Sequence, residues 1–206
     1  MAVSLTMNSL SFYEPMRKNW FIVQFDSGLS DDGEALTIAC KSCDIPSLTT
    51  TENVIDRLND KVYTPAKSEY GTINIVFNEY ISENKGESSS NSNDGNYNKS
   101  AGAILYAWQQ KVHNVKSGVQ GAKKQIAHNI AIVQIDGAGN AVRVWNVYKA
   151  WPTQVQFDGL DSSDGTMQTC TATFRFDWAE QKDAQLTITD TAGFASATAL
   201  DVPTIG

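Results

Sequence analysis

Hydrophobic positions along much of this chain recur at every second residue, the spacing of strands whose successive side chains point to opposite faces. In Tyr70–Tyr80, YGTINIVFNEY, Ile73, Ile75 and Phe77 fall on one side and Thr72, Asn74 and Asn78 on the other, which predicts a half-buried strand. The segment Thr166–Asp177, TMQTCTATFRFD, sets Cys170, Ala172, Phe174 and Phe176 against Thr169, Thr171, Thr173 and Arg175 in the same way. Asn19–Asp26, NWFIVQFD, is β-branched and aromatic and stops at Ser27-Gly28, and a second strand is expected over Ala35–Asp44, ahead of Pro46. IAHNIAIVQID and AVRVWNVYKAWP flank Gly137-Ala138-Gly139-Asn140 and predict a hairpin, with Pro152 ending or bending its second strand.

One segment changes period. AGAILYAWQQKVHN places Ile104, Leu105, Trp108 and Val112 at helical spacing, with Ser100 as cap and Gly118 as stop. A single helix laid on a sheet is the expectation. Ser82–Ser100, SENKGESSSNSNDGNYNKS, has almost no apolar residue to offset its ordering entropy and predicts a mobile surface loop. The Thr- and Ala-rich stretch from Ala184 to Gly206 predicts an extended tail. The expected organisation is one domain over 1–183 with the 82–100 loop inserted, then the tail over 184–206. The fold class is mainly β, a sandwich or barrel with one flanking α-helix.

Charge narrows the partners. Sixteen Lys and Arg against twenty-three Asp and Glu give a formal charge of -7 over 206 residues, with no basic cluster dense enough to grip phosphates. No apolar run approaches the roughly 20 residues that span a bilayer, and the N-terminus has no cationic start leading into an apolar stretch, so a soluble protein made in a cytoplasm is expected.

Catalytic chemistry is sparse. His113 on the helix and His128 on a strand have no G-x-S-x-G elbow beside them, and no nucleophile and base can be assigned. Asp158, Asp161 and Asp164 cluster but lack the ligand spacing of a calcium loop, so they read as turn residues. DGAGN at Asp136–Asn140 joins two strands, leaving no helix N-terminus for a phosphate. Trp145, Tyr148 and Trp151 permit a sugar-stacking platform, and equally a core in which Val147 shares the face. No cofactor and no metal is implied. Cys40-x-x-Cys43 supplies only two of the four ligands of a zinc site. On a continuous strand the two thiols would face opposite ways, Cys40 inward with Leu36 and Ile38, Cys43 outward with Thr37 and Lys41. Cys43 is therefore the possible inter-subunit thiol.

The order of these segments resembles a known family. RKNWFIVQF, then CKSCDIPSLTTTENVIDRLND, then VYTPAKSEYGTINIVFNEY, then ILYAWQQKVHN, VRVWNVYKAWPTQVQFDGLDSSDG and TMQTCTATFRFDWAE, over roughly Met16–Glu180, resemble tail tube proteins of contractile-tailed bacteriophages, relatives of type VI secretion tube proteins. The most specific pieces are Val144–Pro152, VWNVYKAWP, and Gln168–Trp178, QTCTATFRFDW. The resemblance implies a non-enzymatic virion protein whose hexameric rings stack into a tube inside a contractile sheath. It also implies sheath, baseplate and tail-terminator partners, a tape measure protein in the lumen, no membrane, and assembly in the host cytoplasm. Genomic DNA would pass through without specific binding, which an acidic subunit suits. Thr72, Asn74 and Asn78, with Thr169, Thr171 and Thr173, are the expected lumen-facing rows. The alternative from a different class is a carbohydrate-binding β-sandwich of adhesin type.

Overall fold

A computed structural model describes residues 16–26, 29, 31–80 and 100–183, with backbone alone at 31–32, 186–187 and 196–197. The expected loop over 82–100 and most of the expected tail over 184–206 lie outside these residues, apart from Ser100 and a short pairing of Leu186–Thr187 with Ser196–Ala197.

The chain order is β1 (Phe21–Phe25), α1 (Asp31–Ala39), β2 (Cys40–Cys43), β3 (Leu48–Arg57), β4 (Asp60–Tyr70), β5 (Ile73–Asn78), α2 (Ala101–Val112), β6 (His113–Asn114), β7 (Val119–Gln120), α3 (Lys123–Ile126), β8 (His128–Ile135), β9 (Ala141–Phe157), β10 (Thr169–Arg175) and β11 (Trp178–Asp183). Strands run β1-β8-β9-β10-β5-β2, all antiparallel, and β11 also pairs with β9. The 17-residue β9 belongs to two sheets. Its first part pairs with β8 on one side and β11 on the other; its last part, from Trp151, pairs with β10. Between them Lys149 has φ 55, and its N–H is held by the Asn129 side-chain oxygen at 3.1 Å. That conformation costs an L-residue roughly 1–2 kcal/mol and turns the strand from one sheet into the other.

The alternation predicted for the two clearest strands is present. Ile73, Ile75 and Phe77 face Cys170, Ala172 and Phe174 in the core, every one of them fully buried. The predicted strand over Tyr70–Tyr80 is interrupted at Gly71, however, so that Tyr70 ends β4 and β5 starts at Ile73. Over the core lies α2, capped by the Ser100 side chain and burying Ile104, Leu105, Trp108 and Val112 as its spacing predicts. Trp108 is its anchor: the indole N–H donates to the Ile126 carbonyl at 2.7 Å and the ring meets Phe174 at 5.4 Å.

Two predicted features are corrected. The helix stops at His113, which is extended, and not at Gly118, which with φ 68 forms the turn between β6 and β7. Asp31–Ala39 is a helix where a strand over Ala35–Asp44 was expected. Leu36 and Ala39 recur at a helical three-residue spacing and are buried, while Ile38 is 69% exposed, so the apparent apolar row of Leu36, Ile38 and Cys40 does not exist.

The sequence pattern also left β3 and β4 unmarked. They form a hairpin closed at Leu58-Asn59, and every residue of β3 is exposed. Only its base is fastened, by the Tyr70 hydroxyl donating to the Ala179 carbonyl at 3.0 Å, by Tyr70 against Phe176, and by the Arg175–Glu69 ion pair.

Gly121 sits where β7 returns under the end of α2, its N–H donating to the Val112 carbonyl at 3.1 Å. A Cβ there would run into the Lys111 backbone oxygen and the Ile126 side chain. Gly121→Ala should lower stability by about 1–3 kcal/mol, the usual cost of forced overpacking, measured by denaturant unfolding.

Candidate functional site: an outward polar face and two thiols

Sheet β9-β10-β5-β2 has one face turned to the core and one turned outward. The outward face collects most of the expected lumen rows. Thr72 and Asn74 are exposed, and Asn78, Thr171 and Thr173 are partly so. Cross-strand register sets Asn78 opposite Thr169, Val76 opposite Thr171 and Asn74 opposite Thr173. The Thr173 hydroxyl donates to the Asn74 side-chain oxygen at 2.8 Å, and the Asn74 amide donates on to Asp44 at 2.9 Å. Gln156 and Gln154 extend the same rows across β9. The result is a carpet of hydroxyls and amides in which Thr173, Asn74 and Asp44 are joined in one hydrogen-bonded chain. Thr169 departs from its row: it is buried to 8% exposure, with both its N–H and its hydroxyl donating to Asp158. These donors hold the Asp158 carboxyl below the usual range, the hydroxyl contributing most.

One thiol departs from the strand argument: Cys40 faces inward as expected, and Cys43 does so too. β2 pairs with β5 through Cys40 opposite Phe77 and Cys43 opposite Ile75, with a register shift between Cys40 and Ser42. That irregularity alters the parity of the strand, so both Cys40 and Cys43 oppose inward-facing residues and both pack against the core. Burial pushes the Cys40 thiol up to about 12 and raises Cys43 further, with Cys40 and Asp44 adding to it. Cys170 is fully buried, its thiol pushed up to about 11 by burial first and then by Glu79 and Asp158. A cross-link through Cys43 would require the thiol to leave this packing and lose its proton. In the native protein Cys43 should react with an alkylating reagent at pH 8 at least about tenfold more slowly than in the urea-unfolded chain, because the thiolate is the nucleophile. Equal rates would show that the thiol is presented to solvent.

His113 is exposed on β6. His128 is half-buried, edge-on to Trp108 at 5.2 Å. Desolvation lowers its pKa, opposed by Asp26 and reinforced by Lys111. The folded state thus prefers the neutral ring, and as pH falls through about 6.5 the unfolded chain takes up the proton first. Stability from this source is complete above that pH and declines as pH drops to the folded-state value. Thermal melts between pH 7.5 and 5 should show the decline, and His128→Gln should reduce it.

Trp145 and Trp151 pack against the core, so the aromatics of β9 do not form a free row. Tyr148 instead stacks on Trp178 of β11 at 4.0 Å between ring centroids. Asp161 and Asp164 serve as turn acceptors, Asp161 for the Ser163 backbone and hydroxyl and Asp164 for the Thr166 backbone. Asp136 closes the β8–β9 loop by accepting from Ala138 and Asn140.

Comparison with known proteins places this arrangement. Residues 100–180, the span from the α2 cap through β10 into β11, match the model of the family described as T4-like virus tail tube protein gp19. No curated protein matches the sequence. Among solved structures, a chain of the PVC sheath-tube complex of an extracellular contractile injection system in its extended state superposes with TM-score 0.57 at 17% identity, covering 87% of this chain and 99% of that one. A chain of the anti-feeding prophage tube terminating cap gives 0.59 at 16% identity, covering 89% and 100%. A chain of the anti-feeding prophage baseplate, solved with 6-fold symmetry, gives 0.57 at 12% identity, covering 83% and 97%. The fold is that of chains in contractile injection machines.

Proposed function

We infer that this chain is a structural subunit of a contractile tail tube, a virion tail component that stacks into the conduit for genome ejection and carries no catalytic role. The observation that carries the reading is a coincidence of two independent matches. The residues fitting the tail tube family, 100–180, are those that build α2, β8, β9 and β10, and the fold built around them spans 99% of the chain matched in the PVC sheath-tube complex.

The single subunit supports the same reading physically. Among the described residues β1 and β2 end the main sheet with unpaired edges, and the exposed β3–β4 hairpin carries Val54, Ile55, Val62 and Tyr63, with Leu58 at its tip fully exposed. Open edges and an apolar arm are liabilities in a monomer and are covered in a ring or stack. A six-fold ring, as in the symmetry of the baseplate structure, is the proposed closure. In that ring the polar face of Thr72, Asn74, Asn78, Thr171 and Thr173, with Thr169 held by Asp158, lines the lumen. Hydroxyls and amides carry no charge, and Arg175, which continues the Thr171–Thr173 row, is paired with Glu69, so phosphates meet little free positive charge and DNA passes without being held. Sheath, terminator and baseplate proteins contact the outside and ends, a tape measure protein fills the lumen before ejection, and assembly takes place in the host cytoplasm.

Negative-stain imaging of the purified chain should show rings and hollow filaments. A species that stays monomeric at high concentration, or is retained on a glycan column, would overturn the reading. Leu58→Ser with Val54→Ser should leave the unfolding free energy of the free subunit nearly unchanged, within about 0.5 kcal/mol for such exposed sites, while reducing filament yield.

A further inference from the structure

The two ends of α2 carry opposite charge, each around exposed apolar residues. At its C-terminal end, residues 111–124 contain four Lys and no acidic residue. Lys123 pairs with Asp177, while Lys111, Lys116 and Lys124 are exposed beside Val115 (79% exposed) and Val119. This flap is fixed to the body by the Gly121 and Trp108 hydrogen bonds already described. At the N-terminal end, where Phe157 lies close against Gly102, residues 157–168 contain three Asp and no basic residue. Leu160 (86% exposed) and Met167 stand among them.

The strand β10 agrees with this geometry, since it starts beside the acidic loop at Thr169 and leads to Asp177, which pairs with Lys123 of the flap. Twelve helical residues separate the ends by about 18 Å, at 1.5 Å per residue. That exceeds the screening length of about 8 Å at physiological salt, so the two charges do not cancel within one subunit. Asp158 is less available than its neighbours, being engaged by Thr169 and influenced by Lys41. Asp161 and Asp164 are exposed, with local turn donors and no cation among the described residues.

We propose that the Lys111–Lys124 flap of one copy docks on the Leu160–Met167 loop of another, Lys111, Lys116 and Lys124 meeting Asp161 and Asp164 around the apolar contact of Val115 and Val119 with Leu160 and Met167. The occupant is a second copy because the same chain presents both complementary surfaces at opposite ends. Such a contact is heterologous, so it repeats: it closes into a ring or continues along a stack. It deepens the tube reading and rests on it.

The test is charge reversal on the full chain. One variant carries Lys111→Glu, Lys116→Glu and Lys124→Glu; the other carries Asp161→Lys and Asp164→Lys. Each alone should assemble at least about tenfold less well by sedimentation, since like charges then face each other. Mixed together, or combined in one chain, they should recover assembly, because every contact again joins opposite charges. Recovery also shows that the variants fold, and circular dichroism of each checks it directly. Filaments from both single variants at wild-type yield, or loss that neither mixing nor combination restores, would overturn this contact while leaving the tube reading in place. Wild-type chain that never self-associates would overturn both.

Discussion

The bend in β9 at Lys149 is the constraint on which the rest depends. A 17-residue strand would run about 56 Å if straight. By turning at a residue held in the left-handed region, it gives its first part to β8 and β11 and its last part to β10. The return chain matches the turn: β10 and β11 lie along the same edge of β9, separated by Phe176 and Asp177, with the Asp177 N–H donating to the Tyr148 carbonyl at 3.2 Å. One bent ribbon therefore supplies both sheets, and the angle between them is the space that α2 fills. Trp108 is sized to that space, reaching Phe174 on one sheet while its indole N–H holds the Ile126 carbonyl just ahead of β8.

How much of this was legible depended on contrast between faces. β5 and β10 were readable because Ile73, Ile75 and Phe77, and Cys170, Ala172 and Phe174, are apolar against Asn and Thr partners. α2 was readable because it buries one stripe and is capped by Ser100. The β3–β4 hairpin had no such contrast: Thr50, Glu52, Val54 and Asp56 occupy one parity, so neither face marks a core, and in the single chain neither face has one. α1 was misread because a nine-residue helix pressed directly against the following strand has Leu36 and Ile38 two apart, which imitates alternation. The thiols depended on a register irregularity, and a one-residue change of parity exchanges the faces of everything beyond it. No single-sequence pattern marks a bulge whose cause is pairing with a strand more than thirty residues away.

The elements that escaped the pattern share a physical property. The hairpin, the acidic loop and the basic flap bury little within the subunit, so intramolecular packing imposes no periodicity on them. Their composition answers to what lies outside the chain. The same reasoning accounts for the polar face of β5 and β10, where uncharged Asn and Thr sit at positions that a solvated surface would equally fill with Lys or Glu. Part of it is hydrogen-bonded internally, through Thr173, Asn74 and Asp44. The ends of α2 differ in sign, with Lys111, Lys116 and Lys124 free of ion pairs among the described residues at one and the carboxylates of Asp161 and Asp164 at the other. Under the proposed tube reading, such a subunit adheres through the two ends of its helix and presents a mainly polar, weakly charged face in between.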